Sequence, residues 1–236
     1  MFRLKGGEGP PMLVYNTLQA LLGLRIIGGR MPDGREAAAR GVAGLFREHG
    51  LDGFPFYALD FFGQFFSIAG RKVPRPIARA VWGKYAANYR RGQVGGHVAS
   101  TFHFVHFARL LGKPVPHAPA ILEKTLDLQK PDGSFNRMPD PAWDVHATFD
   151  ACFIIRQLGQ DLECARALYR AARWVLSCRN RDGGFGHFPG RKSDLDACYF
   201  HAGALAMCGV LSARRVPVNL ARVLGWGHIF PQGERV

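Results

Sequence analysis

The 236 residues include 47% hydrophobic side chains, enough to bury the core of one large domain or two small ones. The net charge of +13 favours acidic partners, namely phosphorylated ligands, an anionic membrane surface or nucleic acid. No nucleic-acid recognition motif accompanies the charge, so that class is set aside. The five cysteines, Cys152, Cys164, Cys178, Cys198 and Cys208, are odd in number and form no CxxC pair, which predicts a reduced, cytoplasmic chain. Pro10-Pro11 interrupts the first stretch, and Met12–Ile27 contains Asn16, Thr17, Gln19 and Arg25. Neither an export signal nor a membrane span is expected there.

In chain order, leucines and isoleucines between Leu13 and Ile27 recur at helical spacing, and Gly28-Gly29 ends the run. Asp33 and Glu36 have the spacing of a capping box for a helix reaching about His49. Leu51-Asp52-Gly53-Phe54 reads as a loop, followed by a phenylalanine-rich helix over Tyr57–Ala69 that Gly70 stops. Pro74 and Pro76 open a basic helix expected to reach about Arg91. Gly95-Gly96 precede a helix over His97–Leu111, and another runs from about Pro119 to Gln129. The loop Asp132-Gly133-Ser134-Phe135 leads into a helix over Trp143–Leu158. Asp161 caps the next, to about Leu176. A second glycine-rich loop, Asp182-Gly183-Gly184-Phe185, leads through Arg191-Lys192 to a helix opening at Asp194-Leu195-Asp196-Ala197-Cys198-Tyr199. A short helix over Val218–Leu224 closes the pattern.

Apolar runs end at Gly28, Gly70, Gly112, Gly159 and Gly209, spaced 42, 42, 47 and 50 residues apart, with basic runs between them. A period in this range signals stacked repeats, here helical hairpins with one buried and one exposed helix. No alternating strand pattern competes. No linker divides the chain, so one all-α domain over residues 1–236 is expected.

The QKPDGSF and CRNRDGGF loops, each followed by a helix ending Leu-Gly or Cys-Gly, resemble the prenyltransferase and squalene-oxidase repeat. This is the α/α-toroid unit of protein prenyltransferase β-subunits and class II terpene cyclases. The likeness is strongest over residues 93–210 and remains in phase over 12–92. Five hairpins are legible where those families usually close six. The resemblance therefore leaves the ring open, five-membered, or completed by a second subunit or another copy of the chain.

In protein prenyltransferases an Asp-x-Cys-Tyr sequence at the start of an inner helix supplies two zinc ligands. The resemblance makes Asp196 and Cys198 metal ligands for Zn2+, with no third ligand identified, and makes Cys198 part of the catalytic group. It makes Arg191, Lys192, Tyr199 and, one repeat earlier, His146 contacts for a prenyl diphosphate. Zinc suits a carboxylate–thiolate pair, and cations at a helix N-terminus suit a pyrophosphate leaving group. His201, three residues past Cys198, shares its helical face.

The resemblance to terpene cyclases gives Asp196 a different role. Those enzymes place a protonated carboxyl here, and Asp194 is the neighbouring acid that would help hold it protonated. Aromatic side chains on the apolar helices, including Phe61, Phe65, Phe102, Phe149 and Phe153, suit an apolar cavity for an isoprenoid or a carbocation. Three readings follow: prenyl transfer, proton-initiated cyclisation, and a non-catalytic toroid whose basic helices meet a membrane or an acidic partner. His103 and His106 are either a metal pair or structural, and Asp150 either meets an arginine or lines the cavity. Asp52, Asp132 and Asp182 precede glycines and are explained by turn formation.

Overall fold

The computed structural model describes residues 9, 13–18, 20–21, 35–52, 54–136 and 145–211. Residues 13–18 are helical. The elements that follow are α1 (Arg35–His49), α2 (Phe56–Leu59), α3 (Phe61–Ile68), α4 (Arg75–Ala87), β1 (Tyr89–Arg90), β2 (Gln93–Val94) and α5 (Val98–Leu110). Then come α6 (Ala118–Leu126), α7 (Val145–Leu158), α8 (Leu162–Ser177) and α9 (Leu195–Met207). The helical expectation is borne out, and local chemistry accounts for most boundaries. Asp161 Oδ1 accepts the Cys164 N–H at the start of α8, and Asp194 Oδ1 accepts the Ala197 N–H at the start of α9, both at 2.8 Å. Gly70 follows α3 with φ 70°, and the Arg71 N–H reaches back to the Phe66 carbonyl at 2.8 Å. That left-handed closure is one that glycine adopts at little cost.

Two boundaries differ from expectation. The phenylalanine-rich run is two helices with Asp60 between them, and the Asp60 carboxylate is hydrogen-bonded to His103 and His106 of α5. The basic helix ends at Ala87, and a two-residue antiparallel ladder pairs Tyr89 with Val94 and Arg90 with Gln93. Arg91 (φ 45°) and Gly92 (φ 83°) form its tight turn, with the positive dihedrals that such hairpins need. This strand pair is too short for alternating hydrophobicity to have revealed it. Asp33, Gly53, Trp143, the end of the Leu13–Ile27 run and Val218–Leu224 lie outside the described residues. Among the described residues no helix is long and apolar enough to cross a membrane.

Packing divides the chain into two compact units, one of Met1–Asn88 with His103–Val115, the other of Tyr89–Phe102 with Pro116–Val236. The first is cored by Phe62, Phe65, Tyr85 and Phe107, all fully buried. Full burial of one such ring contributes about 1.5–3 kcal/mol. The Tyr85 ring lies 5.5 Å from Phe104 and 6.1 Å from Phe107, and its hydroxyl donates to the Phe56 carbonyl. In the second unit α7 packs against α6, α8 and α9, and α9 also packs on α8. Phe135, Phe153, Ile154 and Ile155 fill its core. α8 is one-sided, with Ala167, Ala171 and Val175 buried and Leu162 and Tyr169 exposed. The contrast between buried apolar helices and one-faced basic helices is the one the sequence predicts.

Candidate functional site

The same contact docks each loop of the second unit onto the start of the helix that follows. The Val94 N–H donates to Thr101 Oγ1 at 3.0 Å, and the Phe135 N–H donates to Thr148 Oγ1 at 3.1 Å. The Phe185 N–H donates to Cys198 Sγ at 3.2 Å. Thr101, Thr148 and Cys198 are the in-register positions of the repeats, so the thiol at 198 performs the work of a threonine hydroxyl. Asp132 and Asp182 shape the loops, each accepting from the amide two residues on, at 2.9 Å in both cases. Asp182 also accepts from Ser193 Oγ; this bond and the Gly184 amide hold its carboxyl below the usual range.

With the second loop docked, polar groups from two successive repeats converge at the N-terminus of α9. His146, in the first turn of α7, places Nε2 3.1 Å from Asp196 Oδ2. His187, on the loop, places Nε2 3.2 Å from Asp194 Oδ2 and 3.7 Å from Asp196 Oδ2. The four side chains are 37–53% exposed. Asp194 divides its oxygens: Oδ1 caps α9 and Oδ2 faces His187. His187, Asp194 and Asp196 each offer one ligand atom, and these atoms lie within 4.8 Å of one another. One imidazole nitrogen and two carboxylate oxygens form a donor set that suits zinc. Cys198 is outside that group, held to Phe185.

The remaining expected residues sit close by in the chain. Arg191 and Lys192 are exposed, and Arg191 is anchored through its carbonyl, which accepts from Asn180 Nδ2 at 2.7 Å. Tyr199 is 38% exposed, with its ring 5.1 Å from that of Phe200. Aromatic rings continue away from the polar cluster. His146 stacks on Phe200 at 3.8 Å, Phe200 meets Phe149 at 5.2 Å, and Phe149 meets Phe102 at 5.7 Å. Phe102 meets Phe153 at 4.8 Å.

Three placements escape sequence reasoning. His187 stands inside the quoted loop, but nothing in the spacing reveals which way a loop side chain turns. His201 is 1% exposed, and its Nε2 contacts the Gly186 carbonyl at 3.1 Å. It therefore supports the loop from beneath and does not share a metal with Cys198. Burial lowers its pKa to about 4, outweighing the Gly186 bond, so the imidazole is neutral at physiological pH and Nε2 donates. In the first unit the fully buried Asp60 accepts from His103 Nδ1 at 2.9 Å and from His106 Nδ1 at 2.8 Å. Burial alone would raise the Asp60 pKa. The charges and hydrogen bonds of the two histidines outweigh it and hold the carboxyl well below the usual range. The histidine pair is thus carboxylate-bound. The available signal was an aspartate inside an apolar run, which needs partners when buried.

Comparison with known proteins identifies the family. Residues 11–228 match the family model described as prenyltransferase alpha-alpha toroid domain. A stretch of 126 residues, 50% of this chain, is 29% identical to the geranylgeranyl transferase type-1 subunit beta of Arabidopsis thaliana. The matched stretch amounts to 32% of that relative, so the chain spans about a third of its length.

Proposed function

The chain belongs to the prenyltransferase α/α-toroid family, and on that premise we propose that it processes an isoprenoid diphosphate at the N-terminus of α9. The observation that carries the proposal is the convergence of His146, His187, Asp194 and Asp196 at one end of a continuous row of aromatic rings. An isoprenoid diphosphate has the matching polarity, a charged head on an apolar chain. The family match runs across both compact units, which supports one toroid domain.

In this reading Arg191, Lys192, His146 and the Tyr199 hydroxyl bind the diphosphate, and the N-terminal amides of α9 add their partial positive charge. The half-buried Phe200 ring meets the isoprenoid and excludes water from its reacting end, and the buried Phe149, Phe102 and Phe153 rings pack in a row behind it. Asp196 orients His146 through its Nε2 atom. His187, Asp194 and Asp196 would hold zinc, which when bound supplies Lewis acidity at a nucleophile or at the leaving oxygen. Cys198 keeps the loop seated by accepting the Phe185 amide. The relative named above is one subunit of a geranylgeranyl transferase, so a second subunit belongs to this reading.

Acid-initiated cyclisation requires a protonated carboxyl. Asp196 is about half exposed beside two imidazoles, and Asp194 is a helix cap. An acid that starts cyclisation must be shut away from water, and these two exposed side chains are not, which favours transfer.

The test is metal content. Purified chain dialysed against zinc should retain close to one ion, and Asp196→Asn or His187→Ala should release it. Cys198→Thr, which keeps an acceptor for Phe185, should retain it. Zinc lost from Cys198→Thr but kept by His187→Ala would return the ligand role to the thiol. Metal-free wild-type protein would remove the zinc centre altogether.

A further inference from the structure

Away from the α9 site, the second unit contains a cleft of about 730 Å³, a size that accommodates a small organic ligand. Lys130 and Asp132 of the first glycine-rich loop, Arg170, Arg173 and Trp174 of α8, and Phe188 of the second loop line it. Neither Asp196 nor the aromatic row contributes to its walls.

The cleft is built from two kinds of surface. One is cationic: Lys130, Arg170 and Arg173 outnumber the single carboxylate of Asp132, which lies 4.0 Å from Lys130 Nζ. Arg170 is held in place, since its Nε and one terminal nitrogen both donate to Gln129 Oε1. Gln129 in turn donates to the Ala167 carbonyl at 2.8 Å and the Gly133 carbonyl at 3.1 Å. A guanidinium has five N–H donors, so a fixed fork remains for an anion. Arg173 follows three residues on, on the same helical face. The other surface is aromatic. Trp174 is 8% exposed and fixed edge-on against His201 at 5.4 Å, and Phe188 is half-buried. A preorganised cation beside fixed rings recognises an anionic group carried on a flat apolar body, because ordering costs are already met by the fold.

We infer that this cleft is a binding site for a small organic anion, with its phosphate or carboxylate at Arg170 and Arg173 and its apolar body on Trp174 and Phe188. The site is distinct from the isoprenoid diphosphate site proposed above and does not depend on it. One loop serves both places: His187 meets the carboxylates of α9, and the next residue, Phe188, forms a wall of the cleft.

The probe is 8-anilinonaphthalene-1-sulfonate, titrated by fluorescence against the full chain. Its neutral analogue N-phenyl-1-naphthylamine is the control for apolar adsorption. With geranylgeranyl diphosphate present to fill the α9 site, the wild-type protein should bind one sulfonate per chain and bind the neutral dye at least about tenfold more weakly. Arg173→Glu should weaken the sulfonate about tenfold or more and leave the neutral dye unchanged, with the thermal transition unmoved. Arg173→Gln, which keeps the length of the side chain, serves if the reversed charge disturbs folding. Phenyl phosphate and benzoate should displace the probe at concentrations where inorganic phosphate does not. Equal affinity for the charged and neutral dyes, sulfonate binding unaffected by either Arg173 variant, or no saturable binding would overturn the site. Displacement by inorganic phosphate as effectively as by phenyl phosphate would overturn the role given to the rings.

Discussion

At the residue scale, two buried titratable groups divide the acid response into separate windows. His201 has a folded pKa of about 4 against an ordinary value of 6.5. Between these values the unfolded chain binds more protons than the folded one, so stability falls as pH drops from 6.5 to 4. A shift of that size corresponds to about 3 kcal/mol. Asp60 has the opposite charge type and a depressed folded pKa. Its contribution is complete above the ordinary aspartate pKa, near 4, and is lost as pH falls further. Urea unfolding from pH 7.5 down should therefore show one decline ending near 4 and a second below it. His201→Gln, which keeps a donor for the Gly186 carbonyl but does not titrate, should flatten the first decline and leave the second. An unchanged slope between pH 6.5 and 4 in that variant would show that another group titrates there.

At the scale of elements, the recurring loop contact explains why a thiol and two hydroxyls occupy equivalent positions. Thr148→Val removes the acceptor of the buried Phe135 amide and should cost about 1–3 kcal/mol, the penalty for an unmet buried donor. Cys198→Ala should be destabilising for the same reason, whereas Cys198→Thr should be close to neutral in denaturant unfolding. A strongly destabilised Cys198→Thr would mean that the sulfur has a task the hydroxyl cannot perform. These contacts also mark the limit of what the sequence discloses. The cap at Asp161 and the glycine stops were legible because each depends on neighbours within a few residues, and the repeats were legible because the stops recur at 42–50-residue intervals. The pairing of Asp60 with His103 and the direction of His187 were not, because partners 43 residues and seven residues away, brought close by folding, decide them. The strand pair escaped because two residues per strand carry no periodicity.

At the scale of the molecule, membership of the α/α-toroid family was readable in the loops and their spacing, and the match over residues 11–228 shows it. The location of the candidate site was also readable, at the start of α9, since that repeat alone joins acid, thiol and basic residues. The grouping of its side chains was not: the sequence paired Asp196 with Cys198 as candidate ligands, whereas the side chains beside Asp196 in the structure are those of Asp194, His187 and His146. The reason is that the loop closes over the helix start and turns an imidazole toward the carboxylates, while its own amide takes the sulfur.

The central claim is that the start of α9 receives the head of an isoprenoid diphosphate. Calorimetric titration of the zinc-loaded chain with geranylgeranyl diphosphate and with geranylgeraniol tests it directly. The diphosphate should bind at least about tenfold more tightly than the alcohol, and Arg191→Ala with Lys192→Ala should abolish the difference while leaving alcohol affinity in place. Equal affinity for the two ligands, or a diphosphate preference that survives the double substitution, would contradict the account.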